Sequence, residues 1–465
     1  MAVETQSCDE LAASWRGLLE HLGGLGDADL PATVADAAAR LLADCLICAE
    51  AGAPLARSRQ MRSALLGTHD DGEARVLGTS LRAPAPLAAG LNTEAMNLLD
   101  ADDTFLNGAH FGGLVAAAAL AEAEASNAAF ERLLLGVAVG FEVAARTTLA
   151  AKTRPGMLAP GLMALGAAAA SCVAGGGSPA ALTQAVALAA RMAPAPLPVP
   201  VAVGELTSLK YAPYAMLAST GVLAARMARA GYLADPAYVT ASPGFFDGQA
   251  SEVRTTHLAG PPEGDGWWIT QTSFKPYPSF RVGHPAIDAL REIARTSGLA
   301  AENVEAIEID IDPRALYLPF HAKAATAAPT LHLLPMHAQM NLPLALALAF
   351  LDVPPGPLWA DPAWTDSPRT RAVMRKVQLC VEPIVSLQQL AAEAVPQSHR
   401  VRNCYAEVRL TAGGRTWTAR RDCATGDPWS TEAPPDWTFL ARKAESFCGS
   451  SAIIDRVRDR SLLGR

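Results

Sequence analysis

Histidine is scarce in this chain, nine in 465 residues, and charge is scarce too, at 18% of positions with a formal balance of −8. No run of lysine or arginine occurs. Phosphate binding needs a clustered basic surface, so a nucleic-acid partner is excluded. The eight cysteines are scattered, and Cys45 and Cys48 form the only CxxC. That pair sits inside the helical repeat Val34, Ala38, Leu41, Leu42, Cys45, Leu46 without a second CxxC, which points to core packing rather than zinc. Sparse cysteine also suits a reducing, cytoplasmic setting. Glu4, Asp9 and Glu10 stand where a secretory leader would be basic and then apolar. The uncharged stretch 156–178 is broken by Pro160 and crowded with Gly and Ala, so it reads as buried helix and not as a membrane span. Neither a GxGxxG after a strand nor a GxxxxGK followed by Ser or Thr is found, so no nucleotide cofactor is indicated.

What is present is alanine and apolar bulk. Half the residues are hydrophobic, which describes packed, buried helices, and the length exceeds one ordinary core. From Leu11 to about Tyr232 nearly every segment has helical periodicity, punctuated by turns at 23–31 and 173–179. The segment PAPLPVPV (194–201) is too proline-dense for helix or central strand and reads as a loop. After residue 262 the pattern changes. Ile307, Ile309 and Ile311 alternate with Glu308, Asp310 and Asp312, the period of a half-buried strand, and 405–420 gives two alternating runs about Gly413-Gly414, a hairpin signal. Helices are expected at 284–298 and 335–351, and the tail 436–465 is helical in pattern. The architecture expected is mainly α: a large all-helical domain over 1–262, a smaller α+β unit over 268–430, and 431–465 packing back on the first. His332 and His337 straddle Pro335 at a spacing unlike a helical zinc pair and read as lid-core or interface residues. No metal and no other cofactor is expected.

Two stretches concentrate chemistry. LDADDTFLNGAHFGG (99–113) sets three acids, a threonine and a histidine in front of an alanine-rich helical run. FKPYPSFRVGHPAID (274–288) sets Lys275 after an aromatic and before two prolines, which fix the backbone and limit where the ammonium can go. The first resembles the DFDDTH…HP signature of the MmgE/PrpD family, and the second is similar to that family's KPYPSCRYTHPAID. Further agreement lies at DLPATVADAAARLLADCL near the start, at 73–92, 133–146, 221–232 and 338–351, and at the GDP of 426–428. The likeness implies an all-helical domain with an α+β lid, an active site in the cleft between them, a homodimer and no metal. Members include 2-methylcitrate dehydratase, cis-aconitate decarboxylase and an iminodisuccinate epimerase, whose shared chemistry is proton transfer at a carbon next to a carboxylate.

Loss of such a proton leaves an enolate-like dianion, so the site needs a base active near neutrality and cations for the developing charge. His110, close to a helix start and beside acids, is the expected proton-transfer residue, with Asp100 orienting it and Thr104 donating to a substrate carboxylate. Helix capping by DADDT is the competing reading. By resemblance Lys275 is a carboxylate clamp or proton donor, supported by the bidentate fork of Arg281. His284 either binds an anion with the first amides of its helix or simply packs. Tyr317 lies near the family's active-site tyrosine, one residue out of step, and Lys210 matches a lysine the family often carries, with a solvated side chain as the alternative.

The sequence also departs from the pattern. Met157 takes the place of a family histidine, Ser219 of a second lysine, Phe280 of a cysteine or histidine, and Phe111 of the proline in HP. Each exchange removes a charge or a donor, which penalises burial of a small tricarboxylate. The substrate expected is a hydroxy-carboxylate less charged or larger than methylcitrate, such as a specialised metabolite, bound by a cytoplasmic enzyme with no membrane partner. Dehydration ranks first. Decarboxylation of an unsaturated polycarboxylate ranks second, and then isomerisation, for which no second acid/base group stands out, or a non-catalytic ligand-binding relative.

Overall fold

The computed structural model describes residues 8–67, 71–106, 108–154, 157–198, 209, 212–258, 266–311, 339–380, 402 and 404–463. Lys210, Tyr317, His332 and His337 lie outside the described residues.

Apolar periodicity over the first half becomes a body of packed helices: α1 Cys8–Gly23, α2 Ala32–Gly52, α3 Ala56–Leu66, α4 Ala85–Asn97, α5 Gly112–Ala125, α6 Phe130–Ala150, α7 Gly161–Ala174, α8 Pro179–Met192, α9 Tyr214–Arg229 and the short α10 Phe245–Gln249. Helix α7, GLMALGAAAASCVA, is apolar all round because it is buried all round, with α5, α6, α8 and α9 packed about it. Small residues let these axes approach closely. A Cβ at Gly166 would lie 2.6 Å from both the Gly140 carbonyl oxygen and the Ala144 Cβ, and one at Gly221 would lie 2.4 Å from the Ala167 Cβ. Helix α6 is long and apolar enough to cross a membrane, yet its apolar window is wholly buried in the body. Within the 156–178 run, Gly161–Ala174 is the core helix α7, while 197–198 of the proline-rich segment makes one short antiparallel pairing with 157–158.

The second unit begins with α11 His284–Ser297, which ends in a left-handed Gly298. Strand β1 Ala306–Ile311 is buried at every second residue, as its alternation requires. It pairs in parallel with β2 Val377–Leu379 and antiparallel with β3 Ala406–Ala412, which turns through Gly413 and Gly414, both at positive φ, into β4 Arg415–Arg421. The order across the sheet is β4-β3-β1-β2. Helix α12, Leu342–Phe350, opens with Asn341 accepting from the Leu344 amide as N-cap and Pro343 fixing the first turn.

Two apolar cores result. One runs through the helical body and takes in Phe439, Leu440, Ala444, Phe447, Ile453 and Val457 of the tail; the other holds the sheet against α11 and α12. The tail forms α13 Trp437–Cys448, which packs on α2, and a last helix Ala452–Arg458, separated by the left-handed Gly449.

The close α6–α7 crossing carries a stability prediction. Replacing Gly166 by Val forces three carbon atoms into contacts already tighter than van der Waals, and overpacking of this kind costs about 1–3 kcal/mol. Chemical denaturation of Gly166→Val should show a loss of that order, and an unchanged midpoint would mean that the two helices are not held at this distance.

Candidate active site

The two motif stretches meet in space. The amide and carbonyl of Thr104 exchange hydrogen bonds with those of Ser273, at 2.9 and 3.0 Å, a single β-bridge that stitches the acidic turn of the body to the strand-like entry of the second motif. Two residues further on, the Lys275 ammonium donates to the carbonyl oxygen of Asp100 at 2.8 Å and to its carboxylate Oδ2 at 3.0 Å. Neither side chain is more than 1% exposed. Asp100 adopts a left-handed φ of 55°, uncommon outside glycine though tolerated by Asp, and is held there by its own amide on the Asn97 carbonyl.

His110 is fixed by a main-chain oxygen. Its Nδ1 lies 2.6 Å from the Asp103 carbonyl and 3.4 Å from the Thr104 hydroxyl. A carbonyl only accepts, so Nδ1 carries the hydrogen and, in the neutral ring, the basic lone pair sits on Nε2. Burial and the Lys275 charge push the imidazole down to about 4, which keeps it neutral at physiological pH even though the ring is only half-buried by its surface. Asp100 thus spends its carboxylate on Lys275, and the ring is oriented by Asp103 instead.

Helix α5 begins at Gly112, two residues after His110, with Phe111 at the N-cap and no side-chain cap. Of the acids in the DADDT run, Asp103 reaches this helix start. Asp103 packs its carboxyl against Gly112, where a Cβ would sit 2.6 Å from Oδ1, and burial together with the Asp102 charge raises it to about 8. It is a neutral acid at pH 7. Phe105 and Phe111 pack with Phe141 of α6 and Trp268, forming an aromatic floor beneath the turn, with ring centroids 4.7–5.9 Å apart.

On the lid side, Arg281 pairs with Asp427, whose carboxylate also accepts from Ser273 Oγ at 2.5 Å and the Ala424 amide at 3.0 Å. The Arg281 Nε, buried, has no hydrogen-bond partner. Gly426 explains the GDP: at φ 86° it passes so close to Phe274 that a Cβ would lie 2.0 Å from that carbonyl oxygen, while its own carbonyl accepts from the Phe274 amide. His284, fully buried as the first residue of α11, points Nε2 at the Ser279 carbonyl at 3.0 Å, and its buried Nδ1 has no partner. Burial and the neighbouring Arg281 and Lys275 charges hold this imidazole well below the usual range. It too is neutral, with the opposite nitrogen basic.

The two histidines and Arg281 therefore gather about the Lys275–Asp100 pair, whose charges bear on both imidazoles. Asp427, Ser273 and the second imidazole as a base complete the group, and sequence reasoning assigned none of these roles. The GDP and the unspent HP of the second motif were the available signals. The departing positions go elsewhere. Met157 pairs with Pro198, Ser219 donates its hydroxyl to the Pro86 carbonyl at the α4–α9 crossing, and Phe280 packs in the lid core against its own 3-10 turn. Two surface cavities open on the body at Glu73, Glu122, Arg226 and Arg229 and at 176–184, and neither includes the residues above.

The ring of His110 should titrate with a midpoint near 4 in the free protein, readable from the histidine ring signals in NMR. Lys275→Met removes the cation that favours the neutral ring and strands the Asp100 carboxylate beside it, so the midpoint should rise. A wild-type midpoint at the ordinary 6.5 would contradict the burial and charge balance described here.

Among curated proteins, none matches the chain. Family comparison does: residues 20–255 match the MmgE/PrpD N-terminal domain and residues 277–461 the MmgE/PrpD C-terminal domain, which together span most of the sequence, the whole of the first motif stretch and the second from Tyr277 onward. The chain belongs to the MmgE/PrpD family, whose members include lyases such as 2-methylcitrate dehydratase.

Proposed function

We propose that the protein is a cofactor-independent hydro-lyase that removes water from a hydroxy-carboxylate, taking the proton from the carbon alpha to the carboxylate. The observation that carries this reading is the neutral His110 imidazole, with Nδ1 locked on the Asp103 carbonyl and Nε2 basic, in the field of the buried Lys275–Asp100 pair.

In this mechanism Nε2 of His110 takes the alpha proton, and the electron pair moves onto the substrate carboxylate as an enolate-like dianion. Lys275 and the open face of Arg281 offset that charge. Collapse of the dianion forms the carbon–carbon double bond and expels the beta hydroxyl, which leaves as water after receiving a proton from a lid group, Lys275 or Tyr317. Thr104 donates to the substrate carboxylate, the basic Nδ1 of His284 accepts from the substrate hydroxyl, Met157 and Phe280, engaged elsewhere in the fold, supply no polar contact, and Lys210 is a further candidate contact. Because Lys275, Asp100, Arg281 and His284 are buried, substrate entry on this reading requires the lid to part from the body. The assembly proposed is a cytoplasmic homodimer acting on a small carboxylate, with a helical domain near 1–262 plus 431–465 and a lid near 268–430.

A base with a free-protein pKa near 4 is weak, and the substrate itself corrects this. A bound carboxylate places negative charge by the ring and favours imidazolium, raising the pKa toward the working range. The acid limb of kcat/KM, which reports the free protein, should therefore fall near pH 4, and the acid limb of kcat, which reports the complex, should fall higher. Coincident limbs near 6.5 would remove His110 from the role.

Epimerisation is the second reading, favoured by one observation: His284 supplies the second neutral imidazole that a two-base exchange needs. Candidate hydroxy acids in deuterated water distinguish the cases. Water loss or alpha-deuterium uptake that falls about 10²–10⁴-fold in His110→Ala supports proton transfer by His110. Loss of water identifies the lyase, exchange with inversion and no water loss identifies the epimerase, and carbon dioxide release the decarboxylase. Equal inertness of wild type and variant toward every acid that binds would make this a binding protein.

A further inference from the structure

A second buried lysine reaches the acidic turn from the opposite side. Lys443, on α13, is 4% exposed; its ammonium donates to Asp44 Oδ1 of α2 at 2.5 Å and to the Ala101 carbonyl at 2.7 Å. The adjacent carbonyl, that of Asp100, is taken by Lys275 at 2.8 Å. Consecutive carbonyls of one left-handed turn are thus gripped by two ammonium groups, each with its own aspartate, one arriving from the lid motif and the other from the C-terminal helix. The turn continues into Asp103, whose carbonyl fixes His110. Asn97 secures its side by donating to Asp102 Oδ2 at 2.8 Å.

A buried ammonium in this position is costly unless fully bonded, and apolar packing would hold α13 on α2 as well. Phe439, Leu440, Ala444 and Phe447 already do so around it. Stability alone therefore does not account for a lysine here, whereas its bond to Ala101 gives the charge a geometric task.

We infer that Lys443, anchored by Asp44, is a positioning residue for the acidic turn, so that the orientation and burial of His110 depend on docking of the C-terminal helix. This rests in part on the reading of His110 as the base, but its geometric content stands apart from any substrate.

The test compares three forms of the full chain. Asp44→Leu/Lys443→Met removes both charges together, avoiding a stranded ion, and releases the Ala101 carbonyl. Phe447→Leu loosens the same helix and removes the ring over the Lys443 ammonium while leaving both hydrogen-bond partners in place. Since burial is the largest influence lowering the His110 ring, a freed turn that admits water should raise its NMR titration midpoint by about one unit or more in the double variant and leave it in place in Phe447→Leu. Where turnover is found, kcat should fall about 10²-fold in the double variant, with KM within about threefold because Arg281 keeps its own anchor on Asp427. If the double variant does not fold, Asp44→Asn/Lys443→Gln serves, since glutamine is one atom too short to hold both partners. An unchanged His110 midpoint, or equal effects in Phe447→Leu, overturns the inference. Absence of turnover in wild type would count against the lyase reading alone, because the titration needs no substrate.

Discussion

Lys275 and Asp100 form an ion pair that water scarcely touches, and that fact constrains everything around it. An ammonium buried alone is prohibitively expensive, and a single carboxylate partner seldom offsets the loss of hydration. Here the lysine also takes the Asp100 carbonyl, which is possible because the left-handed backbone of Asp100 turns carbonyl and carboxylate toward the same donor. The strain of that backbone and the cost of burial persist only because neighbours hold the turn from several directions. The Thr104–Ser273 bridge, the aromatic floor of Phe105 and Phe111, and the grip of Lys443 on Ala101 all serve this turn. The pair spans 175 positions of sequence and joins the helical body to the segment that leads into the lid.

The same burial organises protonation. Asp44 is raised to about 6 and Asp103 to about 8, both mainly because charge is costly there, while the two imidazoles are driven down. Asp103 and the two imidazoles are therefore uncharged at pH 7, beside the ion pairs of Lys275, Arg281 and Lys443. On the proposed function, a carboxylate entering such a place meets little water and shifts the nearby imidazole toward the protonation state that proton abstraction produces.

Much of this was legible in the chain. Periodicity found the helical body, the Ile307–Ile311 alternation found the central strand, and Gly413-Gly414 found the hairpin, because each is a local consequence of backbone geometry. The motif stretches found Asp100, His110, Lys275 and Arg281. Pairings were not legible: that Asp100 belongs to Lys275, Arg281 to Asp427, or His110 to a main-chain carbonyl depends on chain crossings that spacing does not encode. Lys443 was within reach, since it interrupts the apolar stripe Phe439, Leu440, Ala444, Phe447 at helical spacing, and a charge on a buried face demands a partner.

The question of substrate charge turns on which cations are already spent. Lys275 is matched by Asp100 and Arg281 by Asp427, so neither brings a whole uncompensated charge to a ligand. The departures from the family pattern do not restore one. Ser219 is absorbed by a helix crossing, Phe111 by the aromatic floor and Phe280 by the lid core. Among the described residues beside Lys275, Arg281 Nε, His284 Nδ1 and Ser279 Oγ are buried without a hydrogen-bond partner, a small set of donors and acceptors rather than a cluster of positive charge. A tricarboxylate buried against that set would leave at least one anion without a partner, at a cost of several kcal/mol. A monocarboxylate bearing a hydroxyl would not: its carboxylate matches the donor, and its hydroxyl can give a hydrogen bond to the acceptor. The charge balance of the site, more than any single missing family residue, is the argument for a less charged substrate.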